Sequence, residues 1–153
     1  MTQPREKLPL NILLADDDSD DRFFFEKALD EIPVATKLST VSDGAHLMTY
    51  LMSHLEQLPD VLFLDLNMPR KNGAECLLEI KSNDKLKNIP VVLCSTSLGD
   101  DFANQLYHNG ATYYLHKCDF ADLKKCIRKT FALLAVSHLQ PSRDKFMLSL
   151  RAM

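Results

Sequence analysis

Residues 61–64 read VLFL, and Asp65 follows them without a spacer. A half-solvated strand alternates apolar with polar side chains, so an unbroken apolar run of strand length has to be covered on both faces. Sheets covered on both faces are the parallel sheets of α/β proteins, where crossover helices supply the cover. The rest of the chain provides the parts. Residues 11–15, 37–41, 91–94 and 111–115 are further strand candidates, the second of them half-polar as an edge strand would be. Helical periodicity appears at 19–30, from Asp43-Gly44 through Leu47, Met48, Leu51 and Leu55, around Cys76, Leu77 and Ile80, and at 99–109. Asp119 is placed to cap a last helix with Phe120, Leu123, Ile127 and Phe131 inside. Strands and helices thus alternate five times, which predicts one doubly wound α/β domain built on a parallel sheet.

The first helix carries unusual charge at its start. Five of the six residues from Asp16 to Asp21 are carboxylates. Ser19 is the expected N-cap, and Asp20 and Asp21 read as first-turn charges favoured by the helix dipole rather than as ligands. Phe24, Phe25, Ala28 and Leu29 are the expected inner face, with Pro33 just past the end.

Composition narrows the function. A chain of 153 residues holds one sizeable core and not two comfortable ones. A net charge of -3 without a Lys/Arg block gives no reason to expect nucleic-acid binding. The start, MTQPREKLPLN, lacks the apolar core of an export signal, and the longest apolar run, 131–136, is far short of a membrane span. Cys76, Cys94, Cys118 and Cys126 never form CxxC, which argues against a zinc site or redox pair and for reduced thiols in a cytoplasm.

Open parallel sheets bind ligands at the carboxyl ends of their strands. After the first strand come Asp16 and Asp17, after the third Asp65, after the fourth Ser95, and one residue past Leu115, beyond His116, comes Lys117. Three carboxylates, a hydroxyl and an ammonium are therefore expected at one edge of the sheet. An all-oxygen set suits a hard cation, and Mg²⁺ fits because it keeps several waters and needs few protein oxygens. The opening Asp16-x-Asp18-x-Asp20 also matches a calcium loop. That loop requires Gly at its sixth position and Glu at its twelfth, where Asp21 and Lys27 stand. A divalent ion beside a carboxylate, a hydroxyl and a lysine suits phosphoryl transfer to a carboxylate, which is ionised at pH 7 and needs no general base. Asp65, alone on the central strand, is the expected nucleophile. Asp16 and Asp17 are the expected metal ligands, with the backbone carbonyl of Asn67 completing the set and Pro69 and Gly73 shaping the loop.

The stretches ILLADDDSDD, VLFLDLNMPRKNG, IPVVLCSTS and GATYYLHKC, in this order, resemble the CheY-like receiver domain of two-component response regulators. The resemblance spans roughly residues 9–135 and is nearest to short single-domain regulators, including those that serve phytochrome-type kinases. It implies a flavodoxin-like sheet of five strands in the order 2-1-3-4-5, with a receiver domain over 9–138 and a tail over 139–153 rather than a separate effector domain. It further implies that Asp65 accepts a phosphoryl group from a sensor histidine kinase or histidine phosphotransfer protein. Asp16, Asp17 and the Asn67 carbonyl would hold Mg²⁺ with Asp65. Ser95 and Lys117 would bind the phosphoryl oxygens, and Tyr114 would be the aromatic switch that turns inward. The protein would then catalyse only its own phosphorylation and dephosphorylation, in the cytoplasm, without binding nucleic acid or membrane.

Two residues depart from the family pattern. Cys118 stands where a cis proline usually follows the lysine, and Thr96 is bulkier than the usual alanine. The basic cluster Lys124, Lys125, Arg128 and Lys129 is expected to be a solvated face, with partner docking as the sharper alternative. Phe146, Met147, Leu148 and Leu150 in the tail are expected to fold back on the domain, with a partner or homodimer contact as the lesser alternative. Two rival functions remain open: an aspartyl-nucleophile phosphohydrolase, which would want a second Asp at Asn67, and a binding module indifferent to phosphorylation.

Overall fold

The computed structural model describes residues 9–96, 99–117 and 120–148. Strand β1 (Leu10–Ala15) leads through α1 (Ser19–Asp30) to β2 (Thr36–Val41), α2 (Gly44–Ser53) and β3 (Val61–Asp65). Then follow α3 (Gly73–Lys81), β4 (Val91–Ser95), α4 (Asp100–His108), β5 (Tyr113–His116) and α5 (Phe120–Val136). The strands pair in parallel in the order β2-β1-β3-β4-β5, the arrangement the resemblance implied. One strand was not anticipated. Past a short turn at Arg143–Lys145, the pair Met147–Leu148 forms β6, parallel to the outer edge of β5, so among the described residues the sheet has six strands rather than five.

The all-apolar strands are covered on both faces, as their composition demands. Alternate residues feed separate cores. Leu13, Leu62, Leu64 and Leu93 face Leu47, Leu51, Leu77 and Ile80 on one side. Ile12, Leu14, Phe63 and Val92 face Phe25, Leu29 and Ile127 on the other. Half-polar β2 lies at an edge, with only Val41 buried along its length.

Three local expectations change. The N-cap of α1 is Asp18 rather than Ser19: its Oδ1 accepts from the backbone N–H of Asp20 at 2.8 Å and of Asp21 at 3.3 Å, and Ser19 is the first helical residue. Phe24 is largely exposed, at the margin of the buried stripe of α1 that runs Phe25, Ala28, Leu29 and on to Ile32. The strands also carry their polar ends with them, since Asp65 and Ser95 are the last residues of β3 and β4 rather than the first of their loops. The cap expected of Asp119 and the tail contact of Leu150 lie outside the described residues, as does the side chain of Phe120, expected to face inward.

The tail segment packs against the α4–β5 edge. Phe146 is fully buried, edge-to-face on Tyr107 at 5.4 Å, and its carbonyl accepts from the Tyr114 N–H at 3.0 Å. The Gln140 side-chain amide donates to the carbonyls of Tyr107 and Ala111, and the Tyr107 hydroxyl donates to the Pro141 carbonyl.

Candidate functional site

Ending β1, β3, β4 and β5 side by side brings the expected groups together at the carboxyl end of the sheet. Asp16, Asp65 and Ser95 are buried, Asp17 is exposed, and Lys117 leans over them half-buried. Carboxylate oxygens of Asp16, Asp17 and Asp65 lie within 4.8 Å of one another, close enough to share one small cation. Asp17, Asp65, Asn67, Thr96 and Lys117 line a common cavity of about 550 Å³, together with Asp18 and Asp21. Thr96 stands at its mouth and is exposed there.

Local hydrogen bonds fix the two buried acids. The Asp16 carboxylate accepts from the Asp18 N–H at 3.0 Å, and Asp65 accepts from the Asn67 N–H at 3.1 Å. The Arg22 guanidinium donates to the Asp16 carbonyl at 2.7 Å, tying the first turn of α1 to the end of β1. Behind Asp65 the loop is held close. A Cβ on Gly73 would sit 2.4 Å from the Asp65 carbonyl oxygen, so glycine is required there. Arg70 takes a positive φ of 67°, at the centre of a tight turn closed by the Lys71 N–H on the Pro69 carbonyl.

Lys117 is the electrostatic hub. Its ammonium lies 2.8 Å from Asp21, 3.1 Å from Asp16 and 3.3 Å from Asp65. Burial pulls its pKa down, but the hydrogen bond to Asp21 and the charges of Asp16 and Asp65 outweigh it and hold the group above the usual lysine range. Burial dominates for the acids. Asp16 is raised by desolvation against the opposing Asp18 N–H and Lys117. Asp65 is pushed up to about 6 by desolvation, with the Asn67 N–H and Lys117 opposing and the charge of Asp16 assisting. Buried acids held above their ordinary range, beside one shared ammonium, form a site short of positive charge. The donors are all oxygen, which matches a hard divalent cation.

Tyr114 is buried, with its hydroxyl 3.0 Å from the Ser95 Oγ and donating to the Ser95 carbonyl at 3.2 Å. The aromatic ring therefore already lies inward, against the hydroxyl at the end of β4. His116 is exposed beside the site. Asp20 is exposed at the helix start, but Asp21 is more than a helix-end charge, because it makes the shortest of the Lys117 contacts. The sequence offered little signal for it beyond its place in the first turn of α1, directly after the end of β1.

The model of the response regulator receiver domain matches residues 12–128, most of the chain. The chain belongs to that family. Among curated relatives, the probable methanogenesis regulatory protein FilR2 of Methanothrix harundinacea is 32% identical over 125 residues, covering 79% of this chain and 81% of its own length. Response regulator Rcp1 of Synechocystis is 34% identical over 125 residues, covering 78% of this chain and 85% of its own. The solved Mn²⁺-bound form of Rcp1 superposes with a TM-score of 0.75 at 32% identity, over 88% of this chain and all of that one. The phosphorylated cyanobacterial phytochrome response regulator RcpA superposes with a TM-score of 0.74 at 33% identity, over 85% of this chain and 96% of that one. As a receiver domain the protein acts in two-component signalling, with a histidine kinase as its class of partner. The all-oxygen cluster of Asp16, Asp17 and Asp65 suits a hard divalent cation such as Mg²⁺, and the related Rcp1 is the one solved with Mn²⁺ bound. Among the described residues no helix is long and apolar enough to cross a membrane.

Proposed function

We propose that Asp65 accepts the phosphoryl group, from a phosphohistidine on a sensor kinase or histidine phosphotransfer protein, and that the resulting mark switches protein contacts. The observation that carries this reading is the placing of Asp65: its carboxylate shares a cation-sized space with Asp16 and Asp17 and lies 3.3 Å from the Lys117 ammonium. The ionised Asp65 oxygen forms a bond to phosphorus while the N–P bond of the donor breaks and its electron pair returns to the imidazole nitrogen. Lys117 shields the negative charge of the entering group, and Ser95 supplies a hydroxyl to one of its oxygens. Mg²⁺ held by Asp16, Asp17, Asp65 and the Asn67 carbonyl would supply further charge neutralisation and orient the oxygens for in-line transfer.

The product is an acyl phosphate, which water hydrolyses, so the mark is transient and the protein catalyses only its own loading and unloading. Output is assigned to the α4–β5–α5 side, where Tyr114 connects Ser95 to the edge strand and the segment past 138. In this reading residues 9–138 form the receiver unit and 139–153 its tail. The protein works in the cytoplasm, where kinases meet ATP. Its output passes through a protein partner or a second copy rather than nucleic acid. Incubation with acetyl phosphate and Mg²⁺ tests the reading by intact mass. One phosphoryl group per wild-type molecule, with none on Asp65→Asn or in the presence of a chelator, is expected. Equal labelling of Asp65→Asn, or repeated turnover of phosphate esters, would overturn it.

A further inference from the structure

The ammonium of Lys117 has three N–H donors, and three carboxylates surround it, from Asp16, Asp21 and Asp65. Its hydrogen-bonding capacity is therefore filled before any phosphoryl group arrives. The three contacts differ in surroundings. The side chains of Asp16 and Asp65 are 5% and 4% exposed, whereas that of Asp21 is 39% exposed. Asp21 is also outside the trio of acids that can share a cation, yet it lines the same cavity and makes the shortest contact to the lysine, at 2.8 Å. When Asp65 takes the phosphoryl group, its contact passes to a phosphoryl oxygen farther out, and an ammonium that follows that oxygen has to loosen one of its two remaining carboxylates, Asp16 or Asp21. Losing a partner costs least where water can replace it, and that place is Asp21.

We propose that Asp21 is a positioning residue for the phosphoryl chemistry: it holds Lys117 in the unphosphorylated protein and is the contact exchanged for a phosphoryl oxygen. This rests on Asp65 being the acceptor. Asp21 then stabilises the unphosphorylated state selectively, because its pairing with Lys117 is lost or weakened once the lysine turns to the phosphoryl group. A partly exposed pair has a modest influence, so removing it changes the balance between the two states by roughly three-fold rather than by orders of magnitude.

The test compares wild type, Asp21→Asn, Asp21→Glu and Asp20→Asn in two measurements with Mg²⁺ present: the half-life of the phosphorylated protein after acetyl phosphate is removed, and the affinity for beryllofluoride followed by ¹⁹F NMR. Asp21→Asn is expected to bind beryllofluoride about three-fold more tightly and to lengthen the half-life. Asp21→Glu, which keeps a carboxylate at the position, should return toward wild type. Asp20→Asn removes the same charge from the same helix turn without a contact to Lys117, and should leave both readouts unchanged. An Asp21→Asn protein with wild-type affinity and half-life would overturn the proposal, as would an Asp20→Asn effect of equal size, which would mark it as helix-end charge alone. Wild-type protein that takes no phosphoryl group at all would sink the Asp65 reading and this one together, whereas normal wild-type labelling with an inert Asp21→Asn would sink this one only.

Discussion

Two lysines sit half-buried at opposite ends of the same sheet, and their surroundings move their ammonium groups in opposite directions. Lys117, past the carboxyl end of β5, is held above the usual range by Asp21, Asp16 and Asp65 despite its burial. Lys81, the last residue of α3 at the other end, is pulled down to about 8 by burial. Its ammonium donates to the backbone carbonyls of Lys87 at 2.9 Å and Ile89 at 2.8 Å, and among the described residues no carboxylate reaches it. Gly110 packs on its stem with φ at 103°, where an added Cβ would come within 2.9 Å of the lysine Cγ. Lys81 is a clamp: it satisfies carbonyls in the turn that leads into β4 and does nothing that needs charge to move. Lys117 faces more negative charge than one cation can balance. A surplus of buried acid is unfavourable for the resting fold and is what prepares the site for a divalent ion and a phosphoryl group.

The largest expected effect follows from removing each lysine in turn. Without divalent ions, Lys117→Met leaves Asp16 and Asp65 buried beside Asp21 with no shared ammonium, and should cost about 3 kcal/mol in urea unfolding near pH 7. Added Mg²⁺ should restore part of that. Lys81→Met should cost much less, since only bonds to neutral carbonyls are lost, and Mg²⁺ should not alter it. Equal losses for the two variants would erase the distinction between the ends.

A second measurement reverses the sign. Asp65 has a pKa of about 6 in the folded protein against an ordinary value of 3.8. Between those values the native state keeps a proton that the unfolded chain has released, so stability falls as pH rises through the window. Asp65→Asn lacks that slope and should be more stable than wild type at pH 7 without metal, by roughly 1–3 kcal/mol. Saturating Mg²⁺ should shrink or invert the difference. Unfolding curves at pH 4, 5, 6 and 7 (with and without metal) would show whether the carboxyl end carries this burden.

The smallest effect belongs to the other end. Lys81 is lowered from 10.5 to about 8, so between those values the unfolded chain binds a proton that the native state has released. Stability should therefore rise with pH from about 8 to about 10.5 in wild type relative to Lys81→Met. A flat difference across that window would mean that the two carbonyls, rather than burial, govern the group.

Much of the sheet was legible because strand ends are fixed by strand lengths: once VLFL is a buried strand, Asp65 has to emerge where Asp16, Ser95 and Lys117 also emerge. Membership of one edge needed no distances. What the sequence did not disclose depends on distances and dihedral angles. Asp18 and Ser19 are both competent caps, and only the extended backbone at Asp18 selects between them. The pairing of Asp21 with Lys117 joins residues 96 apart through the orientation of one long side chain. Strand β6 is two residues long, too short for periodicity, and is secured by the burial of Phe146 next to it.

The most direct test of the central claim is chemical trapping. After loading with acetyl phosphate and Mg²⁺, borohydride reduces an aspartyl phosphate to homoserine, and peptide mapping locates the reduced residue. Homoserine is expected at position 65 and at no other acid of the site. Reduction at Asp16, Asp17 or Asp21, or phosphate recovered on a histidine instead, would contradict it.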